Sequence, residues 1–133
     1  MIGWGGDEQL IRQKIKEAGM EDNVIILGKR SNPYPYMKAC DIYAQPSRYE
    51  GKSVMVREAQ MLCKPVVITN YATAKSQIQD RIDGVIVPMD NKGCAEGMSV
   101  FIRNEELQKD IVNYLHGHDY GNTDEAEKLY RII

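Results

Sequence analysis

A chain of 133 residues is one domain's worth, long enough to bury about two thirds of the surface its unfolded form exposes. Seventeen Lys plus Arg against nineteen Asp plus Glu give a net charge of −2, which excludes the basic field that drives sequence-independent nucleic-acid binding. No run approaches the roughly eighteen apolar residues of a membrane span and no charged-then-apolar leader opens the chain, so it reads as soluble, with contact at a membrane surface left open.

Met1-Ile2 followed by Gly3-Trp4-Gly5-Gly6 reads as the end of a strand entering a tight turn, although two residues are too few for an ordinary strand. Either the chain is a piece cut inside a larger protein or its first element is missing. A dinucleotide fingerprint would need glycine where Glu8 stands, so these glycines are read as a strand-to-helix turn. Residues 7–18 place Leu10, Ile11, Ile15 and Ala18 on one face and stop at Gly19, which predicts an amphipathic helix. A strand follows at 23–28 (NVIILG), and Asn32-Pro33 reads as an N-cap with proline at the first helical position, opening a short helix through Ala39.

Further strands are predicted at 41–45 (DIYAQ), 65–69 (PVVIT) and 84–88 (GVIVP), with a helix entered near Ser53 between the first two. Beyond the last strand the period turns helical, at 91–102, 105–115 and 123–133. Short β-branched runs alternating with helical segments predict an α/β fold: a Rossmann-like parallel sheet with flanking helices and a helical C-terminal tail. Cys40, Cys63 and Cys94 are odd in number, widely spaced and without C-x-x-C, which argues for reduced thiols of a cytosolic protein, read as small buried hydrophobes. His116 and His118 lie two apart beside a glycine-containing turn and read as a solvated loop. With no metal-ligand spacing and no D-x-D, neither a metal nor a cofactor is expected.

The chemistry concentrates in residues 46–60, PSRYEGKSVMVREAQ. Gly51-Lys52-Ser53 looks like the end of a P-loop, but the position that needs the earlier glycine is Pro46, which has no N–H. A helix end offers the other device. The loop leaves a strand at its carboxyl end, where ligands of open α/β sheets bind, and enters a helix whose first N–H groups and half positive charge suit a phosphate. Gly51 lets a ligand approach the backbone, and Lys52 and Ser53 add donors.

On a helical wheel Met61, Val54, Leu62, Met55, Ala59, Cys63 and Val56 form one apolar arc that contains Glu58 and leaves Arg57 and Gln60 outside. A carboxylate there needs a ligand or a pairing partner elsewhere in the fold. A capping box does not account for it, because Val56 stands where the acidic partner of Ser53 would be. Helical side chains lean toward the N-terminus, so Glu58 reaches back to the space that Glu50 faces. Two acceptor-only groups beside a phosphate-binding helix end suit a ligand with several hydroxyls and a diphosphate, as in a nucleotide sugar.

Glu50-Gly51 followed by Glu58, preceded by CDIYAQPSRYEG and followed by EAQMLCKPVVIT and DGVIVP, resembles the C-terminal, donor-binding domain of family 4 (group 1) retaining glycosyltransferases of the GT-B fold. The resemblance runs from about Ile2 to the end of the chain. It implies that residues 1–133 are part of that nucleotide-sugar-binding domain, with its first strand-helix unit missing. It implies that Glu50 is catalytic and contacts sugar hydroxyls near the anomeric carbon, and that Glu58 binds the ribose hydroxyls. The backbone of Gly51, Lys52, Ser53 and Val54 would hold the diphosphate and sugar, and Gly28, Lys29 and Arg30 would border the base. The chain departs from the family at Lys52, often apolar there, and near Ser53, often glycine or proline.

The family's basic pair and its whole acceptor domain would lie upstream of Met1. The implied partners are a nucleotide-diphosphate sugar of UDP or GDP type and a missing N-terminal acceptor domain; transfer would proceed with retention, without metal. The full enzyme would serve cell-surface polysaccharide synthesis in the cytoplasm, as a peripheral protein at the inner face of the membrane, and this piece alone would be inactive. The alternative is a non-catalytic α/β interaction or nucleotide-binding module, using the same crevice or the tail face of Ala126, Leu129, Tyr130 and Ile133. A phosphatase or kinase lacks its nucleophile or P-loop.

Overall fold

A computed structural model describes residues 1–121, so the helix expected at 123–133 lies outside the described residues. The chain divides into two units, Met1–Tyr36 and Met37–Ile133. In the first, α1 (Glu8–Glu17) falls within the predicted helix, and Gly19 at φ +61 ends it as the chain turns back on its last carbonyls. Leu10 is exposed, and Ile11 and Ile15 are half-buried. The strand predicted at 23–28 does not form as a ladder. Gly28 makes an isolated parallel bridge to Ile2, flanked by Leu27 N–H donating to the Met1 carbonyl at 2.8 Å and Gly3 N–H to the Gly28 carbonyl at 3.0 Å. A ladder needs successive residues bonded along both strands, and here the bonding is confined to Ile25, Leu27 and Gly28 against Met1 to Gly3. α2 (Tyr34–Ala39) starts as expected, with the Tyr34 N–H donated to the Asn32 side chain at 3.2 Å.

The second unit holds a three-stranded parallel sheet in the order β1 (Tyr43–Gln45), β2 (Val66–Thr69), β3 (Val85–Val87). Its register pairs Ala44 with Val67 and Ile68 with Ile86. α3 (Val54–Met61) carries the chain from β1 to β2, and a 3-10 turn at Ala74–Ser76, which the periodicity does not announce, lies between β2 and β3. α4 (Asn91–Arg103) and α5 (Glu105–His116) follow, capped by Asp90 and Asn104 side chains accepting the N–H groups of Gly93 and Leu107.

Side chains of a strand alternate between faces, and both faces of this sheet are covered. Val66 and Ile68 pack with Val56, Ala59, Tyr71 and Ile78 on one side, while Val67, Val85 and Val87 pack with Phe101, Ile111 and Leu115 on the other. Each such aliphatic side chain taken out of water stabilises the fold by about 1.5–3 kcal/mol before chain entropy is counted. Asp83 is buried in the turn before β3 and accepts from Gln79 N–H at 2.7 Å and from the Tyr120 hydroxyl at 2.8 Å. Burial first, and then that bond, push the Tyr120 phenol up.

Two readings of reactive side chains change. The three cysteines are free, but half-buried instead of buried, because they sit at the margins of packed elements. Cys63 follows α3 at φ +54. His116 is the last residue of α5, not part of a loop, and its Nδ1 lies 3.4 Å from the Cys63 sulfur. His118 follows the helix and stacks on Tyr114 at 3.8 Å between ring centroids.

Candidate functional site

The segment from Pro46 to Ser53 leaves the carboxyl end of β1 and reaches α3 without regular structure. Side chains from distant parts of the second unit fix it. The Gln77 amide spans it, accepting the Ser53 N–H at 2.7 Å and donating to the Gly51 carbonyl at 3.0 Å. The Thr73 hydroxyl reaches the carbonyls of both Glu50, at 2.9 Å, and Gly51, at 2.7 Å. The Thr69 hydroxyl, at the end of β2, donates to the Ser47 carbonyl. A loop whose carbonyls are satisfied in this way is held in one shape.

Glu50 sits in that loop with its carboxylate anchored. Oε1 accepts from the Gln45 side-chain amide at 2.9 Å and from the Ser47 hydroxyl at 2.8 Å. The Gln45 oxygen accepts in turn from the Tyr43 hydroxyl at 2.8 Å and the Ser53 hydroxyl at 3.2 Å. Ser53 is the N-cap of α3, its oxygen accepting the Val56 N–H at 3.4 Å. Its own N–H is taken by Gln77, so neither Ser53 donor group stands idle. Among the described residues the N–H groups of Lys52, Val54 and Met55 enter no hydrogen bond, and the Lys52 side chain is exposed. Glu50 and Gly51 line an open hollow of about 290 Å³ together with Arg48, Tyr49 and Ala72.

Two phenols register the acidity of this corner. Burial, then the Glu50 and Glu58 carboxylates, push Tyr43 up to about 12. Burial, then Glu50, raise Tyr71, against the lowering effect of its bond from Gln77. Both carboxylates disfavour the Tyr43 phenolate, and of the two Glu50 has the larger effect.

The helical wheel needs correction. The buried face of α3 is Val56, Ala59 and Gln60, spaced as one helical stripe, whereas Met61 and Val54, at one end of the predicted arc, are 55% and 68% exposed. Glu58 is half-buried, so its position carries less burial penalty than the arc implied. Gln60, placed outside the arc by its polarity, is 1% exposed and donates to the Asp83 carbonyl at 3.4 Å. A partner from the turn before β3 admits the amide to the core.

Gly28, Lys29 and Arg30 belong to the first unit. Gly28 adopts φ +69, a left-handed conformation that favours glycine, and the Lys29 ammonium lies 4.5 Å from the centre of the exposed Trp4 ring. Sequence reasoning passed over Tyr43, Gln45, Ser47, Thr73 and Gln77 as parts of the site. Gln45 and Ser47 flank Pro46 at a strand's carboxyl end, which was the available signal; Thr73 and Gln77 arrive from beyond β2 and left none. Among the described residues no three His, Cys, Asp or Glu side chains gather as metal ligands.

Comparison with known proteins gives this arrangement a family. The profile described as "Glycosyl transferases group 1" matches residues 1–116, and the chain belongs to that family. It is similar to N-acetylgalactosamine-N,N'-diacetylbacillosaminyl-diphospho-undecaprenol 4-alpha-N-acetylgalactosaminyltransferase of Campylobacter jejuni, with 31% identity over 85% of this chain and 32% of the relative. The amylovoran biosynthesis glycosyltransferase AmsD of Erwinia amylovora is 24% identical over 91% of this chain and 35% of its own length. Among solved structures, HepE of Anabaena in complex with UDP superposes with a TM-score of 0.80 at 24% identity, covering 98% of this chain and 40% of that one. The fold is therefore that of the Rossmann-like C-terminal domain of GT-B glycosyltransferases. The chain spans about a third of the length of the curated relatives it matches.

Proposed function

We propose that residues 1–133 are part of the C-terminal donor domain of a retaining glycosyltransferase that binds a UDP-sugar and transfers the sugar in the synthesis of a cell-surface polysaccharide. The observation that carries this reading is the anchored Glu50 carboxylate at the mouth of an open hollow off β1, ahead of the helix that carries Glu58. The family match and the relatives named for glycan synthesis supply the reaction class. The solved relative carrying UDP, and others described with UDP-glucose or with UDP and GlcNAc, favour uridine over guanosine.

In this reading Glu50 is the catalytic carboxylate that accepts sugar hydroxyls near the anomeric carbon. The backbone from Gly51 through Lys52 and Ser53 to Val54 faces the diphosphate, where the N–H groups of Lys52 and Val54 and the start of α3 oppose its charge. Glu58 takes the ribose hydroxyls. The acceptor hydroxyl attacks from the side the diphosphate leaves, and the leaving phosphate takes its proton. An N-terminal acceptor domain completes the site, so this chain alone binds donor without turnover. Among the described residues no helix is long and apolar enough to cross a membrane. The whole enzyme works in the cytoplasm, resting on the inner face of the membrane.

Calorimetric titration of the chain with UDP- and GDP-sugars tests the reading. UDP-sugars should bind, and Glu58→Ala should weaken them about tenfold, the scale of a lost charge-assisted hydrogen bond. Undiminished binding in the variant removes Glu58 from the site; absence of binding by any of these sugars removes the reading.

A further inference from the structure

We propose that Gln45 is a positioning residue of the donor site: its amide pins one oxygen of Glu50, presents the other to the sugar, and joins that grip to the start of α3. The proposal rests on the donor-site reading above and adds a residue to it. Two hydroxyls, from Tyr43 at 2.8 Å and Ser53 at 3.2 Å, fall on the Gln45 oxygen, which leaves the amide nitrogen to Glu50 Oε1 at 2.9 Å. The reversed amide would set its oxygen against a carboxylate oxygen, where no proton lies between them. The partners therefore determine a single orientation.

Ser47 donates to the same Glu50 oxygen at 2.8 Å, so Oε1 already carries two bonds from neutral donors. Among the described residues Oε2 accepts none, and Glu50 lines the open hollow. Hydrogen bonds to a carboxylate are stronger than neutral ones, and turning the carboxylate about its last bond would strain both at once. Glu50 thus offers a ligand one oxygen in one direction. The Ser53 hydroxyl that bonds Gln45 is also the cap of α3. One side chain therefore links the group that meets the sugar to the helix end that meets the diphosphate. Loss of Gln45 should reduce the recognition of the sugar more than the hold on the nucleotide.

The readout is a ratio of affinities measured by titrating the full chain with UDP-glucose and with UDP. Gln45→Met keeps the side-chain length and removes both the donor and the acceptor. It should shift the UDP-glucose to UDP ratio about tenfold against the sugar and leave UDP within about twofold, and Glu50→Gln should shift the ratio in the same direction. A merely structural role would weaken both ligands together. If Gln45→Met does not fold, Ser47→Ala removes the other bond to Oε1 and should move the ratio about threefold. A ratio unchanged in Gln45→Met, or in Ser47→Ala in its place, but shifted in Glu50→Gln overturns the proposal and leaves the donor reading standing. A ratio unchanged in all variants removes Glu50 as the sugar contact, and this proposal with it. A wild-type chain that binds neither ligand ends the donor reading as well.

Discussion

At Tyr43, the first residue of β1, burial and then the Glu50 and Glu58 carboxylates, with smaller effects of Tyr71 and Cys40, oppose the phenolate and hold the group up to about 12, against an ordinary value of 10. A folded-state value above the unfolded one contributes stability that is complete below the unfolded value and is lost as pH rises through the folded one. The window for Tyr43 is therefore pH 10 to about 12, and the loss is on the order of 2 kcal/mol. Tyr43→Phe removes the titrating proton, so urea midpoints between about pH 9 and 12 should fall less steeply for the variant than for the wild type. Parallel slopes would mean that the phenol titrates alike in both states. Gln60 teaches the complementary lesson: a polar letter reads as surface, yet the core accepts an amide once the Asp83 carbonyl meets it.

Within the elements, the close approach of α4 to β3 depends on a residue with no side chain. A Cβ built on Gly97 would lie 2.7 Å from Val87 Cγ1 and 2.9 Å from Val87 Cβ. Val87 is buried and β-branched, so it has no free rotamer with which to give way. Gly97→Ala gains about 1 kcal/mol of helix propensity and incurs about 1–3 kcal/mol of overpacking. The net expected is a loss of roughly 1 kcal/mol, read as a lower urea midpoint with an unchanged slope. A gain would show that α4 can shift outward at no cost. Two helix starts were readable, because Asn32 and Ser53 stand where caps belong and each accepts a backbone N–H, whereas the caps Asp90 and Asn104 of α4 and α5 emerged with the structure. The strands were legible in position but came out shorter, since a ladder ends where its neighbour stops pairing.

Across the whole molecule the two units differ in how they are held. Every buried residue among those described lies in the second, which has an aliphatic cluster on each face of its sheet; the first has only half-buried and exposed ones. Local opening follows buried contact, so amide exchange should protect Val67 and Ile68 at least about a hundredfold more than Gly3 and Leu27. Hydrogen-exchange mass spectrometry resolves the two segments, and equal protection would contradict the burial pattern. The candidate site shows the same dependence on distance in sequence. Glu50, Gly51 and Glu58 were visible because they lie within nine residues and a helix start fixes their spacing. Thr73 and Gln77 were not, because they meet the loop only after β2 and its 3-10 turn have folded against α3.

The sequence by itself determined the class of fold, the family resemblance and the pair of carboxylates, because hydrophobic period, cap residues and a fixed spacing are local properties written in neighbouring letters. Tertiary structure alone decided which face of α3 is buried, that the predicted strand at 23–28 reduces to a bridge, and how Glu50 is oriented. Each of those depends on a partner brought from far along the chain, and a hydrogen bond or a packed face exists only when both sides have arrived.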